Sequence, residues 1–240
     1  MSLVDRLNST ALVGAVLSEA SKLSDRSDAD IDEHQFYIQK VGFYLAHALT
    51  WHKQLGVATE LMMNFDYAKR IDASRGEHLV FSIENYLIRL SSVYDRVLQL
   101  VNVVFHLGVN EEHVSHAVIV SNYKVQHRPE LVRRVKAVKK YLDEYAQTRH
   151  TLIHRHSLLD AKLRRIELFY LHDVKVLYPD SEKSKRFKTF RANYLREYAV
   201  EKKKEFAEVN ERLTSLLESL FSELLKEFHL QREAFRQRGL

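Results

Sequence analysis

The feature that most restricts this chain is how seldom it is interrupted: its 240 residues include 6 Gly and 2 Pro. Sheets and barrels need frequent turns built on positive or fixed φ, so this scarcity predicts long helices and argues against a β-rich fold. Apolar residues recur at spacings of three and four throughout, the helical period. With 45% hydrophobic side chains, a chain of this length can bury a sizeable core. The expectation is an all-α fold forming a single domain over residues 1–240.

Interruptions of the apolar rhythm place the elements. Helices are predicted at about 3–23, 33–65 (with a break near Gly56), 77–108, 111–125, 129–156, 158–177 and 184–236. The polar stretches Ser24–Asp32 and Asp66–Gly76 read as loops, and the last helix follows a basic loop. Gly108 suits a helix stop, and Pro129 suits a first turn because its missing N–H has no intrahelical partner there. Phe206, Val209, Leu213, Leu216, Leu220, Leu224 and Phe228 form a long stripe on the last helix. Such a stripe needs a partner, either this domain or the same helix of a second copy.

Composition removes several chemistries. Cysteine is absent, which excludes disulfides, thiol nucleophiles and thiolate metal sites and fits a reducing compartment. The first residues lack the order of a signal peptide, Asp5, Arg6 and Glu19 interrupt them, and no uncharged apolar run approaches the ~20 residues that span a bilayer. A cytoplasmic chain with no membrane segment is expected.

The formal charge of +5 is unevenly placed. Residues 181–204 hold nine Lys or Arg, among them Lys183, Lys185, Arg186, Lys188 and Arg191, against three Glu. Phe187, Phe190, Tyr194 and Tyr198 interleave with them, as a surface that neutralises phosphates and stacks bases requires. The same spacing also describes a solvated helix whose aromatic side packs inward.

The helix opened by Pro129 carries the candidate chemistry. Leu131, Val135, Val138, Leu142, Tyr145 and Leu152 make an inward stripe, and Arg149 lies near its middle. A guanidinium there is costly unless something anionic faces it. Asp143, His150 and His154 line one edge of the stripe, and the imidazoles titrate near neutral pH. On the helix 77–107, Glu84, Ser91, Asp95 and Asn102 run beside the apolar stripe, so Glu84 or Asp95 is the expected acidic partner. Asp95 also reads as a plain surface group.

Arg149-His150-Thr151-Leu152-Ile153-His154 is an arginine, a polar residue, and a histidine separated from the arginine by four positions. Here the sequence resembles the HEPN superfamily, all-helical domains carrying an arginine-x4-6-histidine signature near the end of a core helix. The resemblance covers about 77–156. It implies a helical bundle with long antiparallel core helices and flanking helices, and a metal-independent endoribonuclease acting through Arg149 and His154 with an acidic neighbour. It further implies RNA as partner, a homodimer sharing one composite cleft, and a toxin-antitoxin or defence setting with a protein antitoxin such as a small nucleotidyltransferase. Several members are instead noncatalytic RNA-binding or interaction modules, and that alternative stays open. So does a structural bundle in which Arg149 pairs with Glu84 or Asp95.

No cofactor or metal is expected. His150 and His154 have the i, i+4 spacing of two metal ligands, but Thr151 stands where the glutamate of His-Glu-x-x-His would be. No histidine has Glu three positions before it, so the di-iron pattern is missing too. His113 and His116 read as surface histidines.

Overall fold

A computed structural model describes residues 3–22, 32–63, 73–155, 161–171, 174 and 178–238; for 146–155 it describes the backbone. There is no strand among the described residues. The helices are α1 (Leu3–Asn8), α2 (Ala11–Ser21), α3 (Glu33–Leu61), α4 (Arg75–Val104), α5 (His116–Ser121), α6 (Tyr123–Gln126), α7 (Pro129–Arg155), α8 (Ala161–Leu171) and α9 (Ser181–Arg238). A 3-10 turn at Glu111–His113 follows α4. None of the helices described is long and apolar enough to cross a membrane.

Boundaries depart from expectation where a polar side chain competes with the helical ladder. The first predicted helix is two, because the Ser9 and Thr10 hydroxyls donate to the carbonyls of Arg6 (2.9 Å) and Leu7 (2.7 Å) and turn the chain. α3 runs unbroken through Gly56. α4 begins at Arg75 because Ser74 and Glu77 cap each other: Glu77 N–H donates to Ser74 Oγ (3.2 Å) and Ser74 N–H to Glu77 Oε2 (2.7 Å). The predicted helix 111–125 is a 3-10 turn and two short helices, split where the Asn122 side chain accepts from Lys124 N–H at 3.0 Å. The last helix starts at Ser181, three residues before the expected 184, since Asp180 accepts from the N–H groups of Glu182 (2.8 Å) and Lys183 (3.2 Å). α9 then continues for 58 residues, about 87 Å.

The fold groups into two compact units, each assembled from separated stretches of chain. The first takes Met1–Gln54, Ser92–Glu144 and Glu211–Leu240; the second takes Leu55–Ser91 and Tyr145–Asn210.

In the first unit the core includes Leu7, Leu12, Val16, Ile38, Val97, Val101, Leu131, Val135, Leu220 and Phe221, all essentially buried. Ion pairs surround it. Arg6 grips Glu218 with two N–H groups (2.9 and 2.7 Å), and buried Glu19 accepts from Arg232 (3.1 Å), Arg236 (2.7 Å) and Lys22 (2.8 Å). Buried Glu227 takes the Arg128 guanidinium at 3.0 Å. The turn after α4 is closed by Asn102, whose amide donates to the Val109 carbonyl (2.8 Å) and accepts from its N–H (3.3 Å).

In the second unit Leu55, Leu79, Ile83, Leu90, Leu163, Ile166 and Phe206 are buried. Gly76 lies against the Tyr170 ring so closely that a Cβ would sit 2.8 Å from it, so only glycine fits there. Along α9, Phe206, Val209, Leu213, Leu220, Leu224 and Phe228 are buried within the chain itself. That part of the long stripe needs no second copy to cover it.

Candidate functional site

The backbone of α7 is helical from Pro129 to Arg155, so Arg149, His150 and His154 fall on its last two turns. Leu131, Val135, Val138 and Leu142 are buried, and Arg149 continues their row one turn beyond Tyr145. The side chains of Arg149, His150 and His154 lie outside the described residues. With the helix unbroken, positions 149 and 154 stand about 140° apart around the axis and about 7.5 Å apart along it.

Of the acidic candidates, Glu84 belongs to the second unit and is half-buried. Burial, and then the charge of Glu167, holds its carboxyl above the usual range. That favours the protonated form, which donates as well as accepts. Asp95 belongs to the first unit and is exposed. Asp143, also exposed and in the first unit, is engaged by Lys139 on its own helix at 2.6 and 2.8 Å. Beside it the Tyr94 hydroxyl is hydrogen-bonded to Nδ1 of His116. His116 is therefore a half-buried, partnered histidine rather than a surface one, with its pKa lowered by burial, Lys139 and Lys136 against the opposing pull of Asp143. His113 is exposed. Ser91 donates its hydroxyl proton to the Ile88 carbonyl of its own helix (2.8 Å), and the Asn102 amide both donates to and accepts from Val109 in the turn after α4.

The basic segment divides into two kinds of residue. Lys183, Lys185, Arg186 and Lys188 are exposed on the first turns of α9. Arg191 instead donates to the Phe169 carbonyl at 3.0 Å, near the end of α8, and its guanidinium lies 4.5 Å from the Tyr170 ring centre. The aromatic residues interleaved with these charges gather on α8: Phe169 meets Phe187, Phe190 and Tyr194 edge-on at 5.5 to 5.7 Å. Tyr198 is buried, whereas Phe190 stays 53% exposed beside the lysines. Most of the aromatic side packs inward, as the solvated-helix reading requires, and one ring is left for a partner.

The family model described as Cthe2314-like HEPN matches residues 51–225. The chain belongs to this HEPN family. The matched stretch runs from the second half of α3 into α9, and so contains α7 with Arg149 and His154. Neither the curated proteins nor the solved structures give a match. HEPN domains are all-helical, and the architecture described above is of that class.

A chain of buried polar groups in this HEPN protein goes beyond what its sequence led us to expect. In the second unit the Tyr86 hydroxyl donates to Asn210 Oδ1 (2.8 Å), Asn210 Nδ2 to Thr59 Oγ1 (3.3 Å), and Thr59 to the Leu55 carbonyl (2.9 Å). In the first, His52 Nε2 meets Thr214 Oγ1 at 2.8 Å. Burial first, and then the Arg6 charge against a smaller opposing pull of Glu218, pushes His52 down to about 4. The available signal was Asn210 and Thr214, one turn apart beside the leucine stripe of α9. Among the described residues no group of three or more His, Asp or Glu is placed to hold a metal ion.

Proposed function

We propose that this HEPN protein is an endoribonuclease that cleaves RNA through its own 2′-hydroxyl. The reading is carried by one observation: the Arg149–His154 signature sits on an unbroken helix inside the matched HEPN segment. In the reaction a base removes the proton of the 2′-hydroxyl, whose oxygen attacks the adjacent phosphorus. The bond from phosphorus to the 5′-oxygen breaks, that oxygen takes a proton, and the products end in a 2′,3′-cyclic phosphate and a 5′-hydroxyl. His154 serves as base or acid, and Arg149 balances charge on the phosphorane. Glu84, with its raised pKa, and His150 and Asp143 are supporting groups. No step calls on a metal.

The 140° between positions 149 and 154 supports a composite cleft in which two copies each supply one motif about a twofold axis. The cytoplasmic setting rests on the composition of the sequence, and the role in toxin–antitoxin or defence systems and the protein antitoxin rest on the HEPN resemblance alone.

A second reading is favoured by Lys183, Lys185, Arg186, Lys188 and the exposed ring of Phe190: a noncatalytic module that binds RNA through the start of α9. One experiment separates the two. Wild type, Arg149→Ala and His154→Ala are incubated with mixed RNA in EDTA and the product ends are analysed. Cyclic phosphate ends from wild type alone support the nuclease. RNA bound but intact in all three supports the module, and cleavage lost only with EDTA sends the reading to a metal enzyme.

A further inference from the structure

Spacings of four, three, four and four put Phe36, Lys40, Phe43, His47 and Trp51 on one side of α3, within about 80° of one another around its axis. Ile38, Val41, Leu45 and Ala48, on the opposite side, are buried in the first unit. Phe36 and Phe43 leave 55% and 56% of their surface open, Lys40 and His47 are exposed, and Trp51 is half-buried.

Rings and cations alternate along this face. Lys40 Nζ lies 5.7 Å from the centre of the Phe36 ring, and the guanidinium of Arg96, on α4, lies 4.8 Å from that of Trp51. Between them the Phe43 and His47 ring centres are 4.2 Å apart. Lys40 and Arg96 make no ion pair among the described residues, and Arg96 Nε is buried without a hydrogen-bond partner. Glu33 bounds the face at one end, and from there to Glu60 the sequence holds no Asp or Glu. At the edge, the carboxylate of Glu111 is engaged by the Tyr44 hydroxyl. The face therefore offers aromatic surface and positive charge together.

A protein partner held by apolar contact would find this surface divided, because Phe36 and Phe43 stand about 10.5 Å apart along the axis with Lys40 between them. A single strand of RNA carries the matching alternation of flat bases and charged phosphates. The start of α9 also interleaves rings with cations, but its rings gather on Phe169, whereas those of α3 face outward.

We infer that this face of α3 is a stacking platform for single-stranded RNA, with Phe36 and Phe43 taking bases and Lys40 and Arg96 taking phosphates. The inference rests on the reading of the chain as a protein that acts on RNA, and assigns the strand a binding surface in the first unit.

The test uses the full chain and fluorescence anisotropy with labelled 2′-O-methyl oligo(U). That strand has no 2′-hydroxyl to attack, so it reports binding whether or not the protein cuts RNA. An abasic strand of equal length keeps the phosphates and removes the bases. Phe43→Ala deletes an exposed ring and leaves the core of the first unit intact. It should weaken the base-bearing strand by about tenfold, as loss of one stacked base does, and leave the abasic strand unchanged. Lys40→Gln should weaken both strands and lower the logarithmic salt slope by roughly 0.7.

Base-bearing and abasic strands bound equally by wild type, or affinities unchanged in both variants, would overturn the platform. Sedimentation in which Phe36→Ala with Phe43→Ala turns a dimer into a monomer, while RNA affinity holds, would give the face to a second copy instead. If Arg149→Ala abolishes cleavage of ordinary RNA and Phe43→Ala leaves affinity unchanged, the platform fails and the nuclease stands. A Phe43-dependent preference for bases in a protein that never cuts RNA has the opposite meaning.

Discussion

Tyr86 lies flat on Phe206, ring centres 3.7 Å apart and planes 8° from parallel, with its hydroxyl donating to Asn210. The pair joins α4 to α9 in the middle of the second unit, and both rings are buried. Phe206→Ala should cost about 3–5 kcal/mol, the range for deleting a buried aromatic ring. Tyr86→Phe keeps the stack and removes the hydroxyl that donates to Asn210 Oδ1, at about 0.5–1.5 kcal/mol. Urea denaturation of the two variants should therefore rank Phe206→Ala well below Tyr86→Phe; equal midpoints would mean that the stack contributes little beyond its hydrogen bond.

His52 makes stability depend on pH. Its folded form takes up a proton at about 4, whereas in the unfolded chain a histidine does so near 6.5. Between those values the unfolded state binds more protons, so stability is full above 6.5 and falls as pH drops toward 4. The loss is on the order of 3 kcal/mol. His34, His78, His106 and His116 shift in the same direction and add to it. Chemical denaturation at pH 7 and pH 5 should show a smaller drop for His52→Gln, which keeps a donor for Thr214 and does not titrate. An identical drop in wild type and variant would remove His52 from the account.

Glu84 separates structure from catalysis. Because its folded pKa is raised, ionisation opposes folding, and stability is lost as pH rises through the ordinary carboxylate range toward the folded value. Glu84→Gln should therefore raise the melting temperature slightly at pH 7. If Glu84 supports Arg149, the same variant lowers RNA cleavage; more stability with unchanged cleavage would leave it a half-buried acid and nothing more.

The basic residues of α9 should behave as two groups. Replacing exposed Lys183, Lys185, Arg186 and Lys188 by Gln should weaken single-stranded RNA binding and flatten its salt dependence, by roughly 0.7 in the logarithmic slope for each phosphate that is no longer neutralised. Thermal stability should hardly move. Arg191→Ala should do the reverse, because its guanidinium is committed to the Phe169 carbonyl and the Tyr170 ring. We expect a stability loss of about 1–2 kcal/mol, from a charged hydrogen bond and a cation–π interaction. Titrations at several salt concentrations, with melting curves for each protein, check both halves.

Local signals were legible in the sequence wherever one residue decides the outcome. Pro129 opened α7 where expected, and the scarcity of Gly and Pro was enough for the helical class. Ser74 with Glu77, and Asp180 ahead of Ser181, were equally legible caps, although the apolar rhythm alone set those starts two or three residues late. The break at Ser9 and Thr10 was not legible, because a hydroxyl bonded to its own helix and one facing outward look alike in sequence. Arg191 shows the limit at a surface. Its charge was plain, but whether it met phosphate or the end of α8 depended on Phe169 and Tyr170, which lie some twenty positions earlier. The same holds at the candidate site. The spacing of Arg149 and His154 was readable, and which groups face them depends on packing that spacing does not encode.

Arg6 and Glu218 are 212 positions apart, and the first unit is complete only with residues from 211 onward. During synthesis the greasy sides of α1 and α2 therefore leave the ribosome long before Glu218 and the last stretch of the first unit have been translated. Such a chain cannot fold piece by piece behind the ribosome, and release of a message cut short before codon 211 would yield a polypeptide with exposed apolar helices, a ready substrate for chaperones and proteases.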